Sequence, residues 1–164
     1  MRRAVLWVLP VLFGALPAAA APAGFAGYFR IPQAGPNSAL IVAVASCGTD
    51  RYCGRLVDLG TLPAKDSRNP SRAAQDRALC GLDILTAADD GGSSTLPHML
   101  RGTFYDPRTG DQNTVSLWIG PGGEAHVSGH AGQPILSRSY VRPQEVWQPV
   151  TAPQLACDGA RPVS

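Results

Sequence analysis

Two histidines, His126 and His130, come nearest to a metal site in this chain. On a helix, side chains four residues apart share a face and can chelate zinc. On a strand both would again point the same way, but their Cα atoms would be roughly 13 Å apart at about 3.3 Å per residue. A shared metal ion would then need a sharp bend, which Gly129 or Gly132 would permit. We expect two exposed or pocket-lining polar side chains, and neither a metal ion nor another cofactor.

Ser128 and three aspartates are the other candidates for catalysis. Ser128 lies between the two histidines, but no Gly-x-Ser-x-Gly elbow surrounds a nucleophile. Asp58, Asp83 and Asp111 fall in or next to predicted strands, where two carboxylates inside a barrel would do acid–base chemistry. We favour outward, solubilising carboxylates, because aspartate is rarely buried unless it is paired. No catalytic residue is predicted, and we expect a protein that is not an enzyme.

The chain contains four cysteines, which are typically paired in an exported domain. Four cysteines allow three connectivities. Cys47 and Cys53 flank a five-residue turn and would face each other across a hairpin at disulfide distance. Cys80 and Cys157 would then tie the start of the fourth strand to the tail. A zinc site is disfavoured because the spacing matches no zinc pattern, and a thioredoxin-like site would need two intervening residues.

The stretch Met99–Ile119 is the clearest element that could position such residues. Leu100 and Phe104 share one face of a first segment, and Val115 and Leu117 share one face of a second. This period-two alternation is typical of half-buried β-strands. The intervening Asp-Pro-Arg-Thr-Gly has turn-forming residues at the appropriate positions. The sequence therefore predicts an antiparallel hairpin.

The other predicted strands are equally short. A polar excursion over residues 61–79 interrupts them, and Asn69 to Arg77 is typical of one or two helical turns, with Asn69 as N-cap and Pro70 as the first helical residue. An eighth strand over Ile135–Val141 could resume at Val146 and Trp147. The preceding predicted strands, besides the hairpin, are Phe25–Ile31, Ala39–Ala45, Gly54–Leu59, Gly81–Ala87 and Glu124–Ala131.

These elements predict an all-β protein with a single antiparallel up-and-down β-barrel of about eight strands, because closure removes exposed sheet edges. The barrel domain would span residues 24–150, followed by an irregular C-terminal tail over 151–164. A barrel of this size is either filled by side chains or holds one small ligand. A two-sheet sandwich is the alternative, and a transmembrane barrel is disfavoured because aromatic girdles are missing.

Residues 1–23 have the layout of a cleaved secretory signal peptide, with a positive start, an apolar stretch and a run of small residues. Cleavage after Ala20 or after Ala23 fits equally well. The apolar stretch is shorter than the roughly 20 residues that span a bilayer, and Pro10 interrupts it. We therefore expect a periplasmic or secreted protein with no stable membrane insertion of the mature chain.

Composition excludes one class of partner. The chain has 14 basic and 12 acidic residues, and removal of Arg2 and Arg3 with the signal peptide would leave 12 of each. A near-neutral domain has no electrostatic footprint for nucleic acid. The 18 glycines and 15 prolines suit a turn-rich β protein better than a helical one.

Several blocks together resemble one known family. They are Cys47-Gly…Cys53-Gly-Arg-Leu, Asp66…Asn69-Pro70, Arg77…Gly81-Leu-Asp-Ile-Leu, Gly102-Thr-Phe-Tyr-Asp-Pro-Arg-Thr-Gly110, Val127-Ser-Gly-His-Ala-Gly132 and Trp147. Over roughly Gly27 to Trp147 the chain resembles domain of unknown function 2147. The resemblance implies a secreted or periplasmic bacterial protein with a lipocalin-like barrel, and it brings no activity or catalytic set. The chain departs from the family pattern at Phe29, Ser128 and His130.

Two functions remain open. The first is binding of a small, mostly apolar molecule inside the barrel, through apolar burial worth roughly 25 cal/mol per Å². The candidate ligand pocket consists of Leu40, Val42, Val44, Leu82, Ile84, Leu100, Phe104, Val115 and Leu117. The same side chains could fill the barrel instead. The alternative is then an envelope protein-binding module, an inhibitor or assembly factor, that binds a protein partner through the 61–79 loop.

Overall fold

The structure is a computed structural model that describes residues 24–33, 39–89, 99–131, 140–141, 144–151 and 157. The proposed signal peptide, residues 1–23, lies outside these ranges, as does most of the tail. Nine strands occur in the described ranges: β1 Gly27–Pro32, β2 Ala39–Gly48, β3 Arg51–Asp58, β4 Asp83–Asp89, β5 Met99–Asp106, β6 Asp111–Ile119, β7 Ala125–Ala131, β8 Tyr140–Val141 and β9 Glu145–Val150.

Eight of these strands close into one antiparallel barrel. Strands β1 to β6 each pair with the next along the chain, β6 pairs with β7, and β9 lies between β7 and β1. Among the described strands, β8 pairs only with the end of β7. The prediction of an up-and-down barrel of about eight strands is confirmed. Among the described residues, no helix is both long and apolar enough to cross a membrane.

The strand that closes the barrel differs from the expected one. The described part of Ile135–Val141 is the two-residue β8, whereas the barrel strand is β9, where the prediction only resumed. The reason is burial: Trp147 is fully buried, and its ring lies 5.3 Å from that of Phe104 between ring centroids. A large apolar side chain directs its strand into the barrel wall because burial removes its surface from water.

Strand β4 carries a β-bulge that changes which side chains face inward. Gly54 pairs with Leu85, but its neighbour Arg55 pairs with Asp83, so Ile84 is an extra residue in the ladder. Both Ile84 and Leu85 are buried as a result. Alternation from the predicted pocket residues Leu82 and Ile84 would put Leu85 on the opposite face from the core, and this is wrong because strict period-two alternation fails at a bulge.

The 61–79 excursion contains a single turn of 3₁₀ helix, Arg72–Ala74. A short helical element in this loop is therefore present, but the predicted start is wrong. Ser71 precedes the turn, and the Asn69 side chain instead accepts a 2.9 Å hydrogen bond from the Ser71 N–H. Asn69 is held in this position by side chains outside the helical turn, which are described below.

Two disulfides join the cysteines as the favoured pairs. Cys47 and Cys53 are bonded across the β2–β3 hairpin, with Cα atoms 5.7 Å apart. Cys47 is the extra residue at the register shift between Ser46 and Gly48. The second disulfide joins Cys80, just before β4, to Cys157 in the tail. Disulfides are typical of proteins that fold in an oxidising compartment.

Candidate functional site

The longest described connection between strands, the 61–79 excursion, lies at one end of the barrel. The ends of β1, β3 and β5 and the starts of β4, β6 and β9 meet there, together with the excursion. A cavity of about 230 Å³, the first cavity, lies at this end. Its lining residues are Phe104, Asp106, Arg108, Asn113, Val115, Val127, Gly129, Gln144 and Glu145.

The wall of the first cavity is apolar on the side that faces the core. Phe104, Val115 and Val127 lie on inward positions of β5, β6 and β7, and all three are buried. Phe104 also packs against Trp147, which fills the barrel beyond the cavity. The arrangement offers an apolar surface at the mouth of an otherwise packed interior, a setting in which small molecules bind.

The polar side of the first cavity is organised by Arg108. The turn that follows β5 places Arg108 two residues after Asp106, whose Oδ1 accepts the Arg108 backbone N–H at 2.9 Å. The guanidinium donates to both Asp106 carboxylate oxygens at 2.8 Å and to Glu145 at 2.8 Å. It also donates to the Pro32 carbonyl oxygen at 2.8 Å. Arg108 therefore joins the β5–β6 turn to β9 and β1 across the end of the barrel.

Electrostatics reinforce this arrangement. Desolvation by itself would lower the pKa of Arg108, but its hydrogen bond to Asp106 and the negative charges of Glu145 and Asp106 outweigh that effect and leave the pKa raised. Glu145 also accepts a 3.2 Å hydrogen bond from the Trp147 indole N–H. Two carboxylates thus surround one guanidinium, so the three side chains carry a net charge of −1 near neutral pH.

Among the described polar lining residues, Asn113 has a side chain that makes no hydrogen bond to another described residue. It lies opposite Phe104 on β6 and is only 8% exposed. Its side-chain amide forms no hydrogen bond to the described part of the protein. The amide is open to the cavity, because among the described residues every fully buried side-chain N or O atom has a hydrogen-bond partner, so water or a ligand can satisfy it. Asn113 therefore offers the cavity one carbonyl acceptor and two N–H donors.

A second polar network holds the excursion against the outer face of β5. The Asp66 carboxylate is fully buried and accepts hydrogen bonds from the Tyr105 hydroxyl at 2.5 Å, Asn69 Nδ2 at 3.0 Å and Arg77 Nε at 2.8 Å. The Arg77 guanidinium carbon lies 5.0 Å from the centre of the Tyr105 ring. Arg68 donates from its guanidinium to the Arg108 carbonyl oxygen and so links this network to the first cavity.

Tyr105 and Arg77 have shifted pKa values in this network. Burial raises the pKa of the Tyr105 hydroxyl, and its hydrogen bond to Asp66 raises it further. Desolvation lowers the pKa of Arg77, but hydrogen bonds to Asp66 and Tyr105 outweigh it, so that pKa is raised. Both groups stay protonated at neutral pH. The network is therefore suited to holding the loop rather than to proton transfer.

Neither His126 nor the aspartates singled out from the sequence line the described core. The His126 ring stacks on Trp118 with centroids 5.1 Å apart, on the outer face of the barrel. Its Nε2 lies 3.2 Å from Glu124, whose pKa is lowered by hydrogen bonds from its own backbone N–H and from His126. The side chain of His130 lies outside the described residues. Asp83 pairs with Arg55 at 2.8 Å on the surface.

The remaining two aspartates, Asp58 and Asp111, lie at strand ends. Asp58 Oδ1 accepts the Gly60 N–H at 2.9 Å, which fixes the turn that leaves β3. Asp111 lies at the exposed start of β6. No group of three or more metal-ligating side chains occurs within the described ranges.

The nine predicted pocket residues separate into three groups. Phe104 and Val115 line the first cavity. Leu82 lies just before β4 and is partly buried against the core. The others belong to the buried core: Leu40, Val42, Val44, Ile84, Leu100 and Leu117.

Sequence reasoning missed most of the polar side of the cavity. Arg108 and Asp106 were visible only as turn residues, and Asn113 only as the residue before an alternating strand. Glu145 is the first residue of β9, one position before Val146, where the predicted strand resumes. The block Tyr-Asp-Pro-Arg-Thr-Gly was nevertheless a usable signal, since it contains Tyr105, Asp106 and Arg108 of both networks.

A second cavity lies at the opposite end of the barrel. Its volume is about 240 Å³. It is formed by the start of β1, the ends of β6 and β9 and the β6–β7 turn. Its lining residues are Gly24, Ala26, Gly27, Tyr28, Phe29, Ile119, Gly123, Pro149 and Val150. This cavity lacks a charged lining residue among the described ones and provides an internal comparison for the first.

Comparisons with known proteins agree with the fold. A family model described as "Uncharacterized protein conserved in bacteria (DUF2147)" matches residues 27–142, which is more than half of the chain. No curated protein matches. A solved structure titled "Protein HP1028 from the human pathogen Helicobacter pylori belongs to the lipocalin family" is similar, with a TM-score of 0.61 and 13% identity over 77% of this chain and 83% of that one. At this identity the likeness shows a shared lipocalin-like fold.

Proposed function

The chain belongs to the bacterial family of uncharacterised proteins DUF2147, and on that premise we propose that it is an exported, lipocalin-like protein that binds one small, mostly apolar molecule in the first cavity. The observation that carries this proposal is the cavity of about 230 Å³ walled by Phe104, Val115 and Val127. A ligand that covers these side chains gains roughly 25 cal/mol for each Å² of apolar surface removed from water.

The packing of the barrel limits the ligand to one end. Trp147, Leu40, Leu85 and Leu117 are fully buried and occupy the interior beyond the cavity. An eight-stranded barrel has room either for side chains or for one small ligand, and here most of the interior holds side chains. The ligand is therefore a compact molecule rather than a long lipid chain.

Binding rather than catalysis is supported by the state of the ionisable groups. Asp106 and Arg108 are hydrogen-bonded to each other, and Glu145 is held by Arg108 and Trp147. Groups engaged in this way orient a ligand more readily than they transfer a proton. The two disulfides support export into an oxidising compartment, which agrees with the signal-peptide layout of residues 1–23.

The alternative of an envelope protein-binding module also has an observation in its favour. The excursion is a fixed surface, because Asp66 ties it to Tyr105 on β5. Loops held on a rigid barrel commonly carry recognition. A protein partner that contacts the exposed residues of the excursion, such as Arg68 and Arg72, is the second candidate function.

Two steps test the ligand proposal. The protein is exported with its own N-terminal segment and purified gently from a bacterial periplasm, and mass spectrometry of the intact chain and of an organic extract reports cleavage, disulfides and any small molecule. Binding of hexanol, a neutral apolar probe, is then followed by NMR. Val127→Phe fills the first cavity and should abolish probe binding, whereas the matched Val150→Phe in the second cavity should leave it unchanged.

Clear outcomes contradict this proposal. A folded protein that gives an empty extract and binds no apolar probe would reject ligand binding, and partner capture through the excursion would become the next experiment. Loss of probe binding in Val150→Phe with retention in Val127→Phe would move the site to the second cavity.

A further inference from the structure

We propose that the first cavity selects a small amphiphile whose head group is a protonated amine. The apolar part would contact Phe104, Val115 and Val127, and the ammonium would be bound by Glu145 and by the carbonyl oxygen of Asn113. This inference rests on the proposed function, because it assigns the chemistry of the ligand that the cavity binds. It is carried by three observations: the charge of the lining, the hydrogen bonds already used, and the unpartnered amide.

The charge of the lining favours a cation. Among the described lining residues, Asp106 and Glu145 are negatively charged and Arg108 is positively charged, so one negative charge of this set is not neutralised. Asp106 is covered by bidentate hydrogen bonds from Arg108, and its side chain is only 6% exposed. Glu145 is 36% exposed and is therefore the carboxylate that a ligand can reach. In a partly desolvated site, a nearby opposite charge is worth more than it is in bulk water.

The hydrogen bonds of Arg108 disfavour an anion. A guanidinium has five N–H donors. Arg108 uses Nε and both Nη2 donors on Asp106 and Glu145, and one Nη1 donor on the Pro32 carbonyl oxygen. One donor remains. A carboxylate or phosphate ligand would have to displace an existing partner and would face two carboxylates, whereas an ammonium needs only acceptors, which Glu145 still offers.

Asn113 is the observation that points to a ligand independently of charge. The residue is only 8% exposed, it lines the cavity, and its amide opens into the cavity without a hydrogen bond to a described residue. Buried polar side chains are nearly always hydrogen-bonded. The N–H groups of a ligand ammonium would donate to the Asn113 carbonyl oxygen, and the apolar tail of the same ligand would pack against Val115 and Val127.

The test compares three probes that share one apolar chain: hexylamine, hexanol and hexanoate. Each is titrated into the wild-type protein at neutral pH, where hexylamine is protonated, and binding is measured by NMR and calorimetry. We expect hexylamine to bind about tenfold more tightly than hexanol, because the contribution of a partly exposed ion pair to binding lies between those of exposed and buried pairs. Hexanoate should bind least.

The outcomes separate this inference from the proposed function. Hexanol or hexanoate binding as tightly as hexylamine would overturn the amine assignment and leave the apolar site intact. Binding of none of the three probes would overturn both. Because this series uses only the wild-type protein, its result does not depend on any variant that folds poorly.

A substitution tests whether Glu145 causes the preference for hexylamine over hexanol. Glu145→Gln keeps the shape of the side chain and one of its two acceptor oxygens but removes the excess charge, so the preference for hexylamine over hexanol should fall about tenfold. Retained hexanol binding reports that the cavity is intact. Asp76→Asn is the matched control, since it removes the same charge from an exposed pair with Lys65. An unchanged preference in Glu145→Gln would overturn the assignment.

Discussion

The Tyr105 hydroxyl donates a 2.5 Å hydrogen bond to the fully buried carboxylate of Asp66, which lies 39 residues earlier in the chain. The bond connects the outer face of β5 to the excursion. Since Arg68 of the same excursion reaches the Arg108 carbonyl oxygen, the network also supports the turn that builds the first cavity. Loop position and cavity shape are therefore coupled through a single buried carboxylate.

Removal of that carboxylate should destabilise the fold. Asp66→Ala leaves Tyr105, Asn69 and Arg77 without their common acceptor, and loss of one partner of a buried charged network costs about 3 kcal/mol. Urea unfolding monitored by fluorescence measures the change in the free energy of unfolding. Asp76→Ala is the control, because its exposed pair with Lys65 contributes less than about 1 kcal/mol. Equal losses in the two variants would contradict a structural role for Asp66.

Alkaline pH should weaken the same network. The pKa of Tyr105 is raised above its ordinary value of 10.0, mainly by burial and then by the Asp66 hydrogen bond. A raised pKa means that the protonated hydroxyl is favoured by folding, so its contribution is complete below about pH 10 and is lost as pH rises further. The difference in unfolding free energy between wild type and Tyr105→Phe should shrink above that pH. A difference that is constant across the alkaline range would argue against this linkage.

Much of the barrel could be predicted from the sequence, because its determinants are local. The hairpin of β5 and β6 was visible in the alternation of Leu100, Phe104, Val115 and Leu117, and the Asp-Pro-Arg-Thr-Gly turn set its register. Closure of the barrel could be predicted from the number of strands, because an open sheet would leave exposed edges. The strand predictions failed at β4, where a β-bulge outweighed period-two alternation, and at β9, where a single buried tryptophan did.

The polar side of the site could not be predicted in the same way. Asp66 meets Tyr105 from 39 residues away, and Arg108 meets Pro32 from 76 residues away. No periodicity encodes such pairings, since they depend on how the barrel brings its loops to one end. Asn113 illustrates a further limit: it lies two residues before Val115 and so shares its inward face, but alternation alone does not indicate that this position opens into a cavity.

The two disulfides should differ in their contribution to stability. Cys80 and Cys157 are separated by 77 residues, whereas Cys47 and Cys53 are separated by six. In the chain-entropy description, the longer loop is worth about 4 kcal/mol and the shorter about 2 kcal/mol. Replacing both cysteines of each pair by serine and comparing urea midpoints measures the difference. A larger loss for the hairpin pair would show that strain or residual structure, rather than loop length, dominates.

A methyl group at Gly110 should separate the excursion from the β5–β6 turn. Gly110 has a φ of +84°, and an added Cβ would lie 2.0 Å from the Arg68 carbonyl oxygen. Gly110→Ala therefore combines left-handed strain with a backbone clash, and we expect a loss of about 2 kcal/mol or more in unfolding free energy. The displaced turn would carry Arg108 with it, so hexanol binding should weaken as well. Gly122→Ala is the control, because its added Cβ meets only the end of the flexible Glu124 side chain. Full probe binding in a destabilised Gly110→Ala would show that the excursion does not shape the cavity.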